Sequence, residues 1–422
     1  MNVHDSEKMA GIMKADGMSE TLNPEDADIL IFNTCSIREK AEQKFFSSLG
    51  RLRHLKKSNP ALKIAVTGCI AQQEGAKILK RTPYVDYVIG PQNIHVLKDL
   101  DSIQIHSVAC NDNPLIAATD YPVDRKDGIK AWVTIMYGCD NYCSYCVVPY
   151  TRGREISRPR EKIIEEVEKL AQDGFKEITF LGQNVNSYKS DLDFPGLLNK
   201  ANGIPGIERI RFVTSHPKDL SKELICSIRD LEKVCEHIHL PLQSGSSRIL
   251  RLMNRKYSYE EYLDKILGLR DAVPGISITT DIIAGFPGES AEDHEATVNA
   301  IKEISFDGMF AFKYSHRPGT YASGFEDHLG DKIKSDRLYE IIDIQNQITE
   351  NRNRSLYGST QQILIESFVE AREGRQYQGR TRTNKIVNCT QSTPPAVAFI
   401  IGDLADVNIT NTARHSLAGI IK

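Results

Sequence analysis

The sequence predicts an α/β protein of three parts: a small parallel α/β amino-terminal domain, a partial (β/α)6 barrel and a carboxyl-terminal antiparallel β-barrel. Buried-strand runs alternate with helical segments over the first hundred residues, and again six times over 131–314. After residue 358 the pattern changes to short β-like runs separated by polar turns. We place the domains at 1–101, 125–355 and 357–421, with a linker at 102–124.

In the amino-terminal domain the apolar spacing changes between the helical and the strand period. We predict helices over Asp5–Met18, Arg38–Leu55 and Gln72–Lys80, and buried strands over Ile29–Phe32 and Ile64–Val66. The segment 101–127 carries two prolines and several aspartates and reads as a connection.

The central part repeats a β–α unit. The predicted strands are 131–137, 177–182, 208–214, 237–241, 276–283 and 307–314, with helices centred near 167, 197, 226, 264 and 297 between them. Right-handed repeats of this number give an open barrel whose strand carboxyl ends share one face. A helix over Lys332–Tyr357 follows, and then strands at 362–366, 385–388 and 406–409.

Three cysteines follow the first strand of the central part in a C-x3-C-x2-C pattern. Cys139, Cys143 and Cys146 lie on one short loop at a strand exit, where α/β folds place chemistry. An iron–sulfur cube normally takes four protein ligands, so three thiolates leave one iron open. A structural zinc site would need four ligands, and a disulfide framework does not suit a long chain without a secretory signal. The triplet predicts an open-iron cluster.

Two further cysteines also end predicted strands. Ile29–Cys35 and Ile64–Cys69 each run a buried strand into a cysteine that opens a helix. Helix amino termini lower thiol pKa values and suit thiolate ligands. Neighbouring parallel strands would bring both sulfurs to one sheet edge, although two unrelated buried cysteines give the same pattern.

Length and composition are those of a multi-domain enzyme. The chain has 422 residues, a net charge of -3 and no apolar run near 18 residues. No signal peptide is recognisable, so we expect a cytoplasmic location without membrane contact. The small net charge means that an RNA site must be a local basic patch.

The cysteine triplet resembles the signature of the radical S-adenosylmethionine (SAM) superfamily, C-x3-C-x-aromatic-C, with Tyr145 as the aromatic residue. The resemblance implies that the open iron chelates the amino and carboxylate groups of SAM, and that reductive cleavage yields a 5′-deoxyadenosyl radical. Tyr145 would pack near the adenine, unless it is an ordinary core tyrosine.

The runs Asn33-Thr34-Cys35 and Thr67-Gly68-Cys69 resemble those of the radical SAM methylthiotransferases, whose amino-terminal domain holds a second [4Fe-4S] cluster on three cysteines. The segment Met1–Glu7 matches the residues just after the first of those cysteines. The first ligand and its strand are absent from this sequence. We interpret this as an internal start or a truncation, with Cys110 as a weaker candidate ligand because no strand–turn–helix pattern surrounds it.

Within that family, Val147–Glu155, Thr179–Tyr188 and Leu240–Ser246 look most like the MiaB branch. The branch adds a methylthio group to C2 of N6-dimethylallyladenosine beside the tRNA anticodon. One SAM supplies the methyl group, a second supplies the radical, and sulfur comes through the auxiliary cluster. The resemblance further implies a flavodoxin- or ferredoxin-like electron donor, a sulfur donor and a TRAM-like RNA-binding carboxyl-terminal domain that grips the anticodon arm.

Residues at the strand exits are the candidates for holding SAM. Gly182 lets a ligand approach the backbone, and the side chains of Gln183, Asn184, Ser215 and Gln243 offer polar groups on the same face. Apolar Ile283 and Phe286 would border the adenine. Each polar residue has an alternative role in a turn or a cap, and we assign no acid–base role to His216.

Two stretches rich in arginine and lysine are candidates for RNA contact. Guanidinium groups suit phosphates and stack on unpaired bases, whereas a solvated charged face is the alternative. The predicted RNA-binding residues are Arg152, Arg154, Arg375, Arg380, Arg382 and Lys385.

Other functions remain open on the sequence alone. Related methylthiotransferases modify threonylcarbamoyl-adenosine in tRNA or an aspartate of a ribosomal protein. A non-catalytic iron–sulfur electron carrier would not need the barrel or an open iron. An RNA-binding protein without catalysis would leave the cysteine triplet unexplained.

Overall fold

The computed structural model describes residues 1–34, 39–100, 102–326, 329–371, 374–391 and 399–422, and gives the backbone alone for 39–43. It contains two compact units. The first comprises 1–126, 136–159 and 317–320, and the second 127–135, 160–316 and 321–422. The domain boundaries given above stay a prediction. None of the described helices combines the length and the apolar character that a membrane-crossing helix needs.

The first unit is built on a parallel sheet with strand order β1-β2-β3-β4. Ile64 and Val66 of the second strand pack on one side of the sheet and Ala65 on the other, which explains its unbroken apolar run. Its elements are α1 (Asn2–Ala15), β1 (Ile29–Thr34), α2 (Glu39–Arg51), α3 (Arg53–Ser58), β2 (Lys63–Gly68), α4 (Cys69–Glu74), α5 (Ala76–Arg81), β3 (Tyr87–Ile89) and β4 (Ser107–Ala109).

The helices and strands of this sheet differ from the prediction in three ways. The predicted helix over 38–55 is divided at Leu52, and the one over 72–80 at Gly75, whose φ of 48° is left-handed. The strands β3 and β4 were missed because three-residue runs carry little periodic signal. The predicted connection therefore contributes a strand to the sheet.

The predicted strand over 131–137 is two strands in different units. The strand β5 (Lys130–Thr134) belongs to the second unit. The chain then continues in the first unit with β6 (Met136–Tyr137), α6 (Val148–Arg152) and β7 (Ile156–Ser157). The predicted strand is divided where its pairing changes, because β5 pairs in parallel with β8 and β6 pairs antiparallel with β7.

The second unit contains the β–α repeat as two parallel three-stranded sheets, β5-β8-β9 and β10-β11-β12. A bridge between Ile210 and Val234 connects them. The elements are α7 (Arg160–Gln172), β8 (Glu177–Leu181), α8 (Phe194–Asn202), β9 (Arg209–Phe212), α9 (Lys222–Asp230), β10 (His237–His239), α10 (Ser247–Leu252), α11 (Tyr259–Ala272), β11 (Ser277–Ala284), α12 (Ala291–Ile304), β12 (Gly308–Lys313) and α13 (Asp331–Arg354).

The chain ends in a closed five-stranded barrel, as predicted, with strand order β13-β14-β15-β17-β16. One detail of the prediction is wrong: β15 and β17 pair in parallel, so the barrel is only mostly antiparallel. Closure leaves this sheet without a free edge. The strands are β13 (Thr360–Ala371), β14 (Gly374–Thr381), β15 (Ile386–Gln391), β16 (Leu404–Thr412) and β17 (Leu417–Ile421).

Two buried arginines of β9 attach this barrel to the repeat within the second unit. Arg209 donates to the carbonyl oxygens of Arg380 (2.6 Å) and Gln362 (3.1 Å). Arg211 donates to those of Thr381 and Arg382, both at 2.7 Å. We call residues 380–385, the last two residues of β14 and the turn that leads to β15, the docking turn.

Charged pairs reinforce the same contact. Arg382 of the docking turn binds both carboxylate oxygens of Glu236 at 2.7 Å, and Lys385 lies 3.2 Å from Asp307. Glu236 and Asp307 each directly precede a strand of the repeat, β10 and β12. The barrel therefore docks at the amino ends of the strands, opposite to the carboxyl ends that carry the predicted SAM residues.

Candidate functional site

The cysteine loop, residues 138–155 of the first unit, is closed at its base by backbone contacts. Gly138 has a φ of 71°, and a Cβ there would lie 1.9 Å from the Arg154 carbonyl oxygen, so only glycine fits. The Cys139 amide donates to the Gly153 carbonyl at 3.2 Å. The Cys146 amide donates to the Cys143 carbonyl at 2.9 Å, which forms a turn between those two cysteines.

A bidentate ion pair braces the same loop. Arg154 Nε lies 2.7 Å from Asp140 Oδ1, and one of its terminal nitrogens lies 3.1 Å from Asp140 Oδ2. Asp140 also accepts from the Glu155 amide at 3.3 Å. Because Asp140 directly follows the first cysteine, the pair orients the start of the ligand loop. Arg154 was predicted to contact RNA, and in the structure its guanidinium is engaged with Asp140.

The three thiols differ in their surroundings. Cys139 is buried, whereas Cys143 and Cys146 are half-buried. Burial raises the pKa of the Cys139 thiol to about 11, so a metal centre must stabilise its thiolate on binding. Within the described ranges, no three His, Cys, Asp or Glu side chains are placed to bind a single metal ion. The donor set, three thiols on one loop, fits a larger iron–sulfur group with one open iron.

The second predicted ligand loop also begins with a glycine. Gly68 ends β2 with a φ of 87°, and a Cβ there would lie 2.2 Å from the Thr34 carbonyl oxygen. Cys69 follows it, is buried and starts α4, as predicted. Thr34 pairs with Gly68 in the β1–β2 register. The partner residue Cys35 lies outside the described residues.

A buried arginine connects the two cysteine-bearing segments. Arg152, the last residue of α6, is 6% exposed and lies 2.7 Å from Asp5 Oδ2. Burial disfavours its charged form, but Asp5 and hydrogen bonds with Asp5 and Cys69 outweigh this and raise the pKa of Arg152. Arg152 was predicted to contact RNA, and its burial leaves little surface for a phosphate.

Cys110 directly follows β4, but the next described element is the strand β5, so no helix follows this cysteine as it follows Gly68. Its thiol donates to the Ala71 carbonyl oxygen at 3.4 Å, and burial raises its pKa. It packs against the apolar core of the sheet. These contacts are those of a structural cysteine.

At the strand exits of the second unit, three buried polar atoms have no hydrogen-bond partner among the residues that the structure describes. They are Gln183 Oε1, Asn184 Oδ1 and Ser215 Oγ. Gly182 precedes the first two at the end of β8, and the Asn184 amide nitrogen donates to Asp219 at 2.7 Å. Buried polar atoms in proteins are nearly always paired. These three groups therefore fit a ligand with several polar groups, such as SAM.

The segments that follow β9 and β10 each hold a residue other than glycine in the left-handed conformation. Thr214, next to Ser215, has a φ of 69°, and Gln243 has a φ of 73°. The Gln243 amide donates to the Asp281 carbonyl, and its own carbonyl accepts from the Ile283 amide at 3.0 Å. Such conformations cost energy and cluster at functional sites. Gln243 and Ile283 are thus adjacent, as their predicted shared role requires.

Phe286 corrects one prediction. Its exposed fraction is 0%, and its ring packs edge-on against Tyr314 and Phe325, at centroid distances of 5.3 and 6.0 Å. It is a core residue with no surface for an adenine. Tyr145 is half-buried in the cysteine loop, and its contact with adenine stays a prediction.

His216 is held neutral by its surroundings. Burial and then the positive charges of Arg255, Lys218 and Lys265 lower its pKa to about 2. Its backbone exchanges two hydrogen bonds with the Asn186 side chain, at 2.8 and 2.9 Å. A histidine of this kind supports the loop and does not exchange protons at neutral pH.

We expect stability to fall in acid because of this histidine and His237, whose pKa burial lowers to about 3. The unfolded chain protonates both below about pH 6.5, while the folded chain does so only near pH 3 or below. Each of the two histidines should therefore lower the free energy of unfolding by about 1.4 kcal/mol for every unit that the pH falls, from about pH 6.5 down to its folded-state pKa. Urea titrations at pH 4 to 6.5 should show a shallower pH dependence for His216→Gln. An unchanged slope would contradict the assignment, and exposed His415→Gln is the control.

Most of the predicted RNA-binding residues near the carboxyl terminus are engaged within the second unit. Arg380 lies 3.5 Å from Glu366, while Arg382 pairs with Glu236 and Lys385 with Asp307, as described above. Arg375 pairs with the exposed Glu370 at 2.7 Å, and its guanidinium stacks 4.5 Å above Phe368. The ion pairs of the docking turn account for the positive charges of Arg382 and Lys385. Among the predicted residues near the carboxyl terminus, Arg375 is therefore the better candidate for RNA contact. All these RNA contacts stay predictions.

The sequence analysis missed several residues that position the site. Asp219 orients Asn184, Asn186 holds His216, and Gln92 donates to the Arg152 carbonyl at 2.7 Å behind the cysteine loop. Asp219 and Gln92 lie outside the motifs, and Asn186 lies within the run Thr179–Tyr188 but was not assigned a role. Arg209 and Arg211 did leave a signal, since arginines two residues apart in an apolar strand lie on one face and need buried partners.

Comparisons with known proteins agree with this arrangement. The family model described as "Radical SAM superfamily" matches residues 133–301, and "Uncharacterized protein family UPF0004" matches residues 1–90. The tRNA-2-methylthio-N(6)-dimethylallyladenosine synthase of Thermodesulfovibrio yellowstonii is 55% identical over 423 residues, 100% of this chain and 96% of that protein. The chain belongs to this synthase family. The synthase of the same name from Acetivibrio thermocellus is 45% identical over 435 residues, 100% of this chain and 88% of that protein.

Two solved structures share the fold at low sequence identity. The radical SAM methyltransferase TsrM from Kitasatospora setae, with cobalamin and a [4Fe-4S] cluster bound, is 14% identical with a TM-score of 0.53, over 74% of this chain and 67% of that one. The cobalamin-dependent radical SAM enzyme OxsB is 12% identical with a TM-score of 0.55, over 81% of this chain and 53% of that one. The predicted radical SAM fold and the family resemblance are confirmed. Superfamily membership implies a [4Fe-4S] cluster and SAM as cofactors.

Proposed function

We infer that this chain is a radical SAM methylthiotransferase that adds a methylthio group to C2 of N6-dimethylallyladenosine in tRNA. The observation that carries the inference is the 55% identity over the whole chain to a synthase named for this reaction. The two [4Fe-4S] cluster sites and the SAM residues are assigned on this basis. A tRNA substrate agrees with the cytoplasmic location expected from the sequence.

The cofactors supply the radical chemistry, a carbon-centred oxidant for an unreactive C–H bond, and the chain holds and orients them. Cys139, Cys143 and Cys146 are the proposed ligands of the radical cluster. The closed base of their loop and the Asp140–Arg154 pair keep the three thiols preorganised. Gln183, Asn184 and Ser215 are proposed to hold polar groups of SAM.

Cys35 and Cys69 are the proposed ligands of the auxiliary cluster. The β1–β2 register up to Thr34 and Gly68 supports this, because neighbouring parallel strands end side by side. The positive charge of Arg152 lies close enough to Cys69 to interact with it, and the local charge and hydrogen bonding around a cluster tune iron–sulfur centres. No cysteine precedes Cys35 in the printed sequence, and we assign no third ligand to this cluster. The proposal includes two partners. The electron donor is a flavodoxin- or ferredoxin-like protein, and the sulfur donor is not specified.

The experiment that tests the function is mass spectrometry of tRNA nucleosides from a strain that lacks the gene. We expect N6-dimethylallyladenosine to accumulate and its 2-methylthio derivative to disappear. Loss of methylthio-threonylcarbamoyl-adenosine instead, or loss of a methylthio group from a ribosomal protein, would assign the chain to a related substrate. Unchanged nucleosides and ribosomal proteins would refute the proposal.

For the anticodon arm we propose Arg375 as a phosphate contact. Arg375→Gln should weaken tRNA binding and reduce the salt dependence by about one counterion, because each phosphate contact releases condensed ions. Fluorescence anisotropy over a salt series measures both. Arg229→Gln, which removes an exposed arginine on α9, is the matched control. Equal salt slopes for Arg375→Gln and the unsubstituted chain would remove the proposed contact.

A further inference from the structure

One face of the β10–β12 sheet is covered and the other is open. The strand register places His239, Thr279, Asp281, Ile283, Phe310 and Phe312 on the same side, which we call the open face. On the opposite side Ile238, Ile278 and Ile282 are all 0% exposed. Phe310 on the open face is 59% exposed, although it lies in the middle of β12.

The polar side chains of the open face contact one another. His239 Nδ1 lies 3.0 Å from Thr279 Oγ1, and its Nε2 lies 3.4 Å from Asp281 Oδ2. The Phe310 ring meets the His239 ring edge-on at 6.1 Å. Asp281 and Phe310 are direct partners in the register. An exposed aromatic ring therefore stands beside an oriented carboxylate and imidazole.

The open face is continuous with the proposed SAM site. Ile283 lies at the carboxyl end of β11, where its amide donates to the Gln243 carbonyl. Asp281 precedes Ile283 by two residues and Phe310 precedes Phe312 by two, so this pair lies about 7 Å further from the carboxyl ends of the strands. Beyond them the docking turn supports the amino ends, with Lys385 beside Asp307. The face thus extends from the SAM end toward the docking turn.

A ligand for this face must combine an apolar group with a hydrogen-bonding edge. Exposed aromatic surface next to a few convergent polar groups is typical of small-molecule sites. Dimethylallyl-adenine has this composition: a branched five-carbon chain on one nitrogen of a purine. An unmodified adenine offers the polar edge but leaves the Phe310 ring uncovered.

We propose that the open face is the subsite for the target nucleoside, with Phe310 against the dimethylallyl group and Asp281, oriented by His239, at the purine edge. This subsite proposal rests on the proposed function, because the identity of the target nucleoside comes from that function. Phe310 then determines the preference for prenylated tRNA, and Asp281 contributes to binding with or without the prenyl group.

The test compares two synthetic anticodon hairpins that differ only in N6-dimethylallyladenosine against adenosine. Equilibrium binding to the full chain needs no turnover. We expect the unsubstituted chain to prefer the prenylated hairpin by about tenfold or more, since each methylene in an apolar pocket discriminates by at least that order. Phe310→Ala should lose most of this preference, and Phe310→Leu should keep part of it.

Two further variants make the outcome specific. Tyr339→Ala removes a similarly exposed ring (64%) on α13 and should retain the full preference. Asp281→Asn should weaken both hairpins by a similar factor. Full preference in Phe310→Ala, or no preference in the unsubstituted chain, overturns the subsite. The proposed function falls separately, if the deletion strain keeps its methylthiolated nucleoside.

Discussion

Anaerobically reconstituted Cys143→Ala should produce no 5′-deoxyadenosine above background. A cube held by three thiolates loses its attachment when one is removed, because two ligands leave two irons open. The fold should survive, since Cys143 is half-buried and the contact of its carbonyl with the Cys146 amide needs no side chain. Chromatography of the reaction products, together with iron analysis of the same sample, measures the effect.

The matched control is Cys226→Ala, which removes an exposed thiol on α9. It should retain both the iron content and the rate of SAM cleavage. Cleavage by Cys143→Ala at the rate of the unsubstituted chain would remove this residue from the proposed ligand set.

Arg211→Ala should lower the free energy of unfolding by about 3–5 kcal/mol, the usual cost of breaking a buried charge pair. Arg211 and Glu177 are 6% and 5% exposed, with 2.8 Å between Nε and Oε2. Truncation leaves the Glu177 carboxylate without its cation and the carbonyls of Thr381 and Arg382 without their donor. Urea denaturation followed by circular dichroism measures the loss.

Arg229→Ala is the control, because Arg229 and its partner Asp230 are about half exposed and such pairs contribute little. The double variant Arg211→Ala, Glu177→Gln should recover part of the loss by removing the uncompensated charge. A change of less than about 1 kcal/mol in Arg211→Ala, within the range of ordinary surface substitutions, would show that the docking turn does not depend on this arginine.

If the docking turn is essential for the core, the carboxyl-terminal barrel is more than an attached RNA-binding module. Its removal would leave both Arg209 and Arg211 without the carbonyl groups that they bind. Point substitutions on its exposed side, such as Arg375→Gln, are therefore a cleaner test of RNA binding than a deletion. The same contacts explain why basic residues of one stretch have different roles.

Features that depend on local spacing could be predicted from the amino-acid sequence alone. Cys139, Cys143 and Cys146 lie within one loop, so their spacing alone is enough to predict the radical cluster. The β–α alternation gave the strands of the central repeat to within a few residues, because hydrophobic period and length are local properties. Gly68 and Cys69 were recognisable because a strand, a turn glycine and a helix start follow one another directly.

Which side chains are available to a ligand could be read only from the folded chain. Arg382 and Arg375 look equivalent in the sequence, yet one binds Glu236, 146 residues away, and the other an exposed neighbour on the barrel. Phe286 became core through rings that follow it by 28 and 39 residues, and Phe310 remained open through the register of β12. The burial or pairing of Arg382, Phe286 and Phe310 depends on contacts with residues distant in the chain, and their local spacing does not reveal those contacts.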